Sequence, residues 1–473
     1  MTRLDRLELD EEGFRGLVAA AMERISEHLR GLASAPACVT EGGAVLAQRL
    51  REPAPRAGEA LERVLATLFD DALPLSFNTP GPGYLAYVPG GGLLHAAVAD
   101  LIADAVNRYV GLWRAAPGLV QLESNVVAWL CAALGLPEGS GGVLTTGGSL
   151  ANFSATVAAR QGLGERFLDG AIYTSTQAHH SVIKAAALAG FPARQVRAVG
   201  VDGLFRMRVD ELERVMREDR AAGLRPCMIV GAGGTTNTGA VDDLEALAEL
   251  AARERVWFHV DAAYGGCFAL TERGRAALRG ISRADSVTLD PHKGFFLPYG
   301  TGALLVRDPA ALRRAHAGAA DYLPPMQDDP AFVDYCELSP ELSRDFRGLR
   351  LWLPIKLCGL DAFAAALDEK LDLARLAAEA LAATPDVELV APPQLSLLAF
   401  RHVPRRLGGD AAALDRHNAA LLAAINRRQR VYLTSTLAAG RFVLRICVLS
   451  FRTHRERVEA GLEDIRAAIA ELG

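Results

Sequence analysis

The chain has 473 residues, 50% hydrophobic and 23% charged, enough to bury one large core and a smaller one. Its 51 Lys and Arg against 56 Asp and Glu give a net charge of −5, which argues against a nucleic acid or an anionic membrane as partner. Seven scattered cysteines without a CxxC pair argue against a disulfide framework or a metal site and for a reducing, cytoplasmic setting. In chain order, MTRLDRLELDEEGF offers no apolar stretch of signal-peptide length, and no later run reaches the ~18 apolar residues of a membrane span. FRGLVAAAMERISEHLRGL (14–32) is helix-periodic and belongs to an N-terminal arm, with a proline-containing stretch after it at 53–58. FNTPGPGYLAYVPGGG (77–92) is rich in Gly, Pro and aromatics, and helical patterns run over 93–106 and 117–134.

From about 140 to 306, short apolar runs alternate with helical stretches. GVLTT (142–146), AIYTS (171–175), CMIVGA (227–232), VWFHVDAA (256–263), DSVTLD (285–290) and GALLVRD (302–308) are the predicted strands. Such alternation implies βαβ units and a mostly parallel sheet, whose ligands lie beyond the carboxyl ends of the strands. The segment 316–348 lacks a clear period and carries four prolines, the composition of a lid. One long helix is predicted over about 350–382. A second α+β region follows, with strands at VELV, LSLLAF, VYLTS and FVLRICVLS and helices near 410–428 and 453–470. The expected domains are an N-terminal arm and substrate-lining segment (1–90), a large α/β domain (91–355) and a small C-terminal α+β domain (356–473).

The candidate site residues follow the apolar runs. Lys293 in DPHKGFF sits in an apolar setting, where desolvation lowers a lysine's pKa and makes it a nucleophile. Asp261 ends VWFHV, and the small Ala263 two residues on leaves room for a flat ring. A lysine that forms a Schiff base and an aspartate that keeps a ring nitrogen protonated are what pyridoxal phosphate asks of a protein. TTGGSLANFSA (145–155) offers glycines and a helix N-terminus for the phosphate, and GTTNTG (234–239) adds Thr235 and Thr236. The strand–loop–helix around 227–261 also loosely imitates a nucleotide-binding Rossmann unit. It lacks the third glycine of GxGxxG, and it gives Lys293 no task. His179 at a helix start could stack on a cofactor ring and meet a substrate carboxylate; His292 beside Lys293 could be structural support. Tyr322 in the lid could deliver a proton to a carbanion while the lid excludes water. Arg445 lies in an apolar strand, where an unpaired guanidinium is costly.

With QAHHSV, HVDAAYGG and DPHK assembled, residues 75–455 resemble the pyridoxal-phosphate-dependent group II amino-acid decarboxylases, most closely the aromatic-L-amino-acid branch. The resemblance implies a fold type I (aspartate-aminotransferase-like) α/β architecture and a homodimer with active sites at the interface. It implies that Lys293 carries the cofactor as an internal aldimine, Asp261 pairs with the pyridinium nitrogen, and His179 stacks on the ring. Gly148, Ser149 and Thr236 fall at phosphate-contact positions, Ala263 and His292 line the cofactor, and Tyr322 falls at the loop tyrosine that protonates the quinonoid carbon. Leu85 and Tyr87 in YLAYVP fall in the substrate-lining stretch. Arg445 either contacts the substrate, as such an arginine does in related aminotransferases, or plays an orienting role. Two departures stand out: Asp290 replaces the asparagine of the animal enzymes, and Gly294 replaces a bulky aromatic, which bears on pocket shape. The implied reaction is decarboxylation of an aromatic L-amino acid. Acidic or short-chain substrates such as glutamate, aspartate or diaminobutyrate, an aldehyde synthase of the same family, and a transaminase are the alternatives.

Overall fold

The structure, a computed structural model, describes residues 7–318, 329 and 332–473. A seven-stranded sheet is built from β1 (Gly141–Thr145), β2 (Gly170–Ser175), β3 (Val196–Val199), β4 (Arg225–Ala232), β5 (Trp257–Asp261), β6 (Ser286–Leu289) and β7 (Gly302–Val306). Their spatial order is β1-β7-β6-β5-β4-β2-β3. β7 runs antiparallel to both neighbours, while the pairs from β6 across to β3 are parallel. Alternate residues of one strand enter opposite cores. Ile229 packs on one face and Met228 and Val230 on the other; Ala303 and Leu305 oppose Leu304 and Val306. Helices therefore cover both faces, as a mostly parallel sheet requires.

The predicted strands of this region are present. β3 was not foreseen: it has only four residues, lies at the sheet edge and carries Arg197, paired with Asp219 at 2.5 Å. The single helix expected over 350–382 is two, Arg347–Cys358 and Leu360–Ala382. Gly359 separates them with φ +75°, a left-handed conformation that breaks the helical path. The second sheet, β8 (Val387–Leu389), β9 (Leu397–His402), β10 (Thr434–Ala438) and β11 (Arg441–Cys447), is antiparallel in the order β10-β11-β9-β8. Leu373, Phe400, Leu421, Leu444 and Ile465 form its core against three helices. Among the described residues, no helix is long and apolar enough to cross a membrane.

Candidate active site

Five strand ends of the large sheet open into one cavity of about 280 Å3. Beyond β1 come Thr146, Gly147, Gly148 and Ser149; beyond β2, Gln177, Ala178 and His179; beyond β4, Gly234, Thr235 and Thr236. β5 delivers Asp261 and Ala263, and β6 delivers Asp290, His292 and Lys293. One end of the cavity is the start of helix Gly148–Gln161, whose first N–H groups have no intrahelical acceptor and favour an anion. A Cβ on Gly148 would stand 3.1 Å from an Asp290 carboxylate oxygen and 3.3 Å from the Ala263 Cβ, crowding the space an anion needs. The Thr235 hydroxyl is spent inside its turn, bonded to Thr238 at 3.0 Å and accepting from the Ala240 N–H, so Thr236 is the threonine left to the cavity.

Lys293 lies in a short helical turn, Pro291–Gly294, and its side chain is 21% exposed. Its Nζ is 2.9 Å from Asp290 Oδ2. Burial by itself would lower the Lys293 pKa, as the sequence suggested. The carboxylates of Asp290 and Asp261 outweigh burial and hold it above the ordinary lysine value. Asp290 is buried, and among the described residues its other oxygen has no hydrogen-bond partner. His292 Nδ1 donates to the Thr301 carbonyl at 2.7 Å, and burial lowers its pKa despite the nearby Asp290.

Asp261 Oδ1 accepts from the Ala263 N–H, and Oδ2 accepts from Asn152 Nδ2 at 3.0 Å. Asn152 also donates to Ser181 Oγ and receives His259 Nε2 and the Thr288 hydroxyl on Oδ1. His179 caps the helix His180–Leu188, its Nδ1 accepting from the Ser181 N–H, and burial lowers its pKa. Asn152, Ser181, His259 and Thr288 were not singled out from the sequence. Periodicity held the signal for two of them. Asn152 lies one helical turn after Gly148, and His259 is two residues before Asp261 on a strand, on the same face.

Other expectations are corrected. Leu85 is not at the cavity: it is 2% exposed, paired through its backbone with Tyr432 and Cys447, and packed in the core of the second sheet. Tyr87 is half exposed and adopts φ +50°; it is not a wall of this cavity, though its carbonyl lies beside Thr236 through a shared partner. That partner is Arg445, which donates to the carbonyls of Tyr87, Thr236 and Asn237 and to the Thr434 hydroxyl. Its guanidinium ties three segments together, is buried, and does not line the cavity. Gly294 does not reshape the cavity, because a Cβ there would meet the Cys267 Cβ at 2.4 Å, inside the protein. Tyr322 lies outside the described residues.

A cavity at the carboxyl ends of this sheet, with an anion cradle at one end, a lysine on the wall and a carboxylate held by a buried amide, defines a fold type I pyridoxal-phosphate enzyme. Residues 47–403 match the sequence model of the pyridoxal-dependent decarboxylase conserved domain, and the chain belongs to this family of amino-acid decarboxylases. It is 34% identical to an aromatic-L-amino-acid decarboxylase of Bacillus atrophaeus, covering 99% of this chain and 98% of that one. It is 32% identical to an L-2,4-diaminobutyrate decarboxylase of Rhizobium meliloti, over 89% and 84% of the two chains. A crystal structure of Oryza sativa TDC with PLP and tryptamine superposes with a TM-score of 0.91 at 27% identity, covering 98% of this chain and 99% of that one.

Proposed function

We propose that the chain removes the carboxyl group of an aromatic L-amino acid to give the amine and CO2. The observation that carries this reading is the placement of Lys293 and Asp261 on one cavity whose walls, among the described residues, include no arginine. A guanidinium gripping the substrate carboxylate would stabilise the charged ground state and oppose its loss. When bound, pyridoxal phosphate supplies the electron sink for the pair left at Cα. Its phosphate is assigned to Gly148, Ser149 and Thr236, its ring nitrogen to Asp261 and its ring face to His179, with Ala263 and His292 alongside. Lys293 must shed a proton to condense with the cofactor, and the Asp290 carboxylate at 2.9 Å sets how readily it does so. Tyr322 is assigned the return of a proton to Cα.

The similarity to the Bacillus atrophaeus decarboxylase supports the aromatic side chain, and the similarity to the diaminobutyrate decarboxylase supports a short-chain one as the second reading. Release of ¹³CO2 from carboxyl-labelled amino acids, scored across aromatic, acidic and diamino substrates, decides between them. Hydrogen peroxide formed in step with CO2 would instead assign an aldehyde synthase. Replacing Lys293 with alanine should abolish both turnover and the visible absorbance of lysine-bound cofactor; turnover kept at the parental rate contradicts the assignment. The working unit is proposed to be a cytoplasmic homodimer. Helix Leu94–Val106 exposes Leu94, Val98, Leu101, Ile102 and Val106 as one apolar stripe, and it starts beside the site, where the Leu93 N–H bonds the Phe296 carbonyl.

A further inference from the structure

Behind the cavity the polar side chains form one hydrogen-bonded chain with a fixed direction. It begins at Trp257, whose indole N–H donates to Ser286 Oγ at 2.8 Å. An indole nitrogen can only donate, so Ser286 accepts there, and the same Oγ lies 2.8 Å from His259 Nδ1. The sense of the chain is set at Asp261: its carboxylate only accepts, so the Asn152 NH2 group faces Asp261 Oδ2 at 3.0 Å and Ser181 Oγ at 2.9 Å, using both hydrogens. Asn152 Oδ1 then accepts from His259 Nε2 at 2.9 Å beside the Thr288 hydroxyl at 2.7 Å, so His259 carries its proton on Nε2 and its bare Nδ1 takes the Ser286 hydroxyl proton. Ser181 then passes its hydroxyl proton to His179 Nδ1 at 2.8 Å, a nitrogen that already accepts the Ser181 backbone N–H.

The opposite amide orientation fails at Asp261, where it would set an oxygen lone pair against the carboxylate. Asn152, Ser181, His259, Ser286 and Thr288 are each at most 2% exposed, so water does not offer alternative partners. Burial also pushes the His259 imidazole down to about 4 and lowers His179, against the pull of Asp261 on both. Both rings are therefore neutral near neutral pH, and each has a single ring proton to place.

We propose that Asn152 is a positioning residue that makes Asp261 and His179 one unit, holding Asp261 as an acceptor for the ring nitrogen and fixing His179 as the tautomer protonated on Nε2. The inference rests on the proposed cofactor site. The far nitrogen of His179 then offers the cavity a neutral donor, able to orient a carboxylate without the charge that would bind it too well to release as CO2. The proton order is set by Asp261 through the Asn152 amide, and Ser286 and Trp257 complete the chain outside the cavity wall.

The direct test is ¹⁵N NMR of histidine-labelled holoenzyme. His259 and His179 should both show the signature of protonation on Nε2 alone, and a proton on Nδ1 of His179 in the parent protein overturns the inference without any mutation. Asn152→Leu keeps the branched shape and removes every side-chain bond of the hub. Its two histidines should show mixed tautomers, the pH titration of the visible cofactor band should shift, and kcat should fall by about tenfold or more with a smaller change in KM. A folded Asn152→Leu protein with parental tautomers and cofactor band refutes the proposal. Such a result would leave the cofactor site standing, because that reading depends on the loss of the visible band in Lys293→Ala.

Discussion

Lys293 and Asp290 form an ion pair in which the carboxylate decides when the amine becomes reactive. The pair holds the Lys293 pKa above its ordinary value against the effect of burial. Asp290→Asn removes the negative partner, so the Lys293 pKa should fall and condensation with added pyridoxal phosphate should begin at lower pH than in the parent. The growth rate of the visible band against pH reads this directly; an unshifted or raised onset would show that Asp290 does not control the lysine. Gly294, next along the chain, makes a second residue-scale prediction. Gly294→Ala forces a Cβ to within 2.4 Å of the Cys267 Cβ and should cost about 1–3 kcal/mol of unfolding free energy. Combining it with Cys267→Gly clears the contact and should recover most of the loss in denaturant unfolding.

At the scale of elements, what the sequence revealed followed from burial pattern. β2, β6 and β7 are buried at every residue, and each read as an apolar run. β3 did not, because an edge strand with Arg197 buries too little to leave a pattern. The Lys293–Asp261 pairing was legible because Asp261 ends such a run and Lys293 follows one closely. Leu85 and Arg445 were not, because whether a side chain meets a cavity or a neighbouring carbonyl depends on tertiary packing rather than local spacing. The break at Gly359 was missed since the hydrophobic period continues across it. Its φ of +75° penalises any side chain although nothing lies within 4 Å of a Cβ there. Gly359→Ala should therefore destabilise by about 1 kcal/mol through backbone strain alone and leave cofactor binding unchanged, as measured by chemical unfolding and absorbance.

The whole molecule carries an acid liability in its buried imidazoles. A histidine in the unfolded chain titrates near ~6.5, whereas His259 is held at about 4 in the fold, chiefly by burial. Between those values the unfolded chain binds a proton that the folded chain refuses, so acid favours unfolding. The contribution of His259 is undiminished above about 6.5 and is lost as pH falls towards 4, on the order of 3 kcal/mol in total. His179, His292, His402 and His417 are lowered by burial in the same direction and steepen the decline. The thermal midpoint should drop markedly from about pH 7 to about pH 5; a flat profile would contradict the burial of these rings.

The reversed strand β7 gives Lys293 an unusual address. Because β6 and β7 are hydrogen-bonded antiparallel neighbours, residues 290–301 are the loop of a hairpin set inside the sheet, flanked by β5 on one side and β1 on the other. Such a loop cannot peel away by fraying at an edge. Both of its ends are anchored in strands bonded on either side, so the loop is held to the middle of the sheet at two points. The reactive amine is thus carried on a segment clamped at both ends, which fixes its base against the neighbouring strand ends that hold the rest of the site.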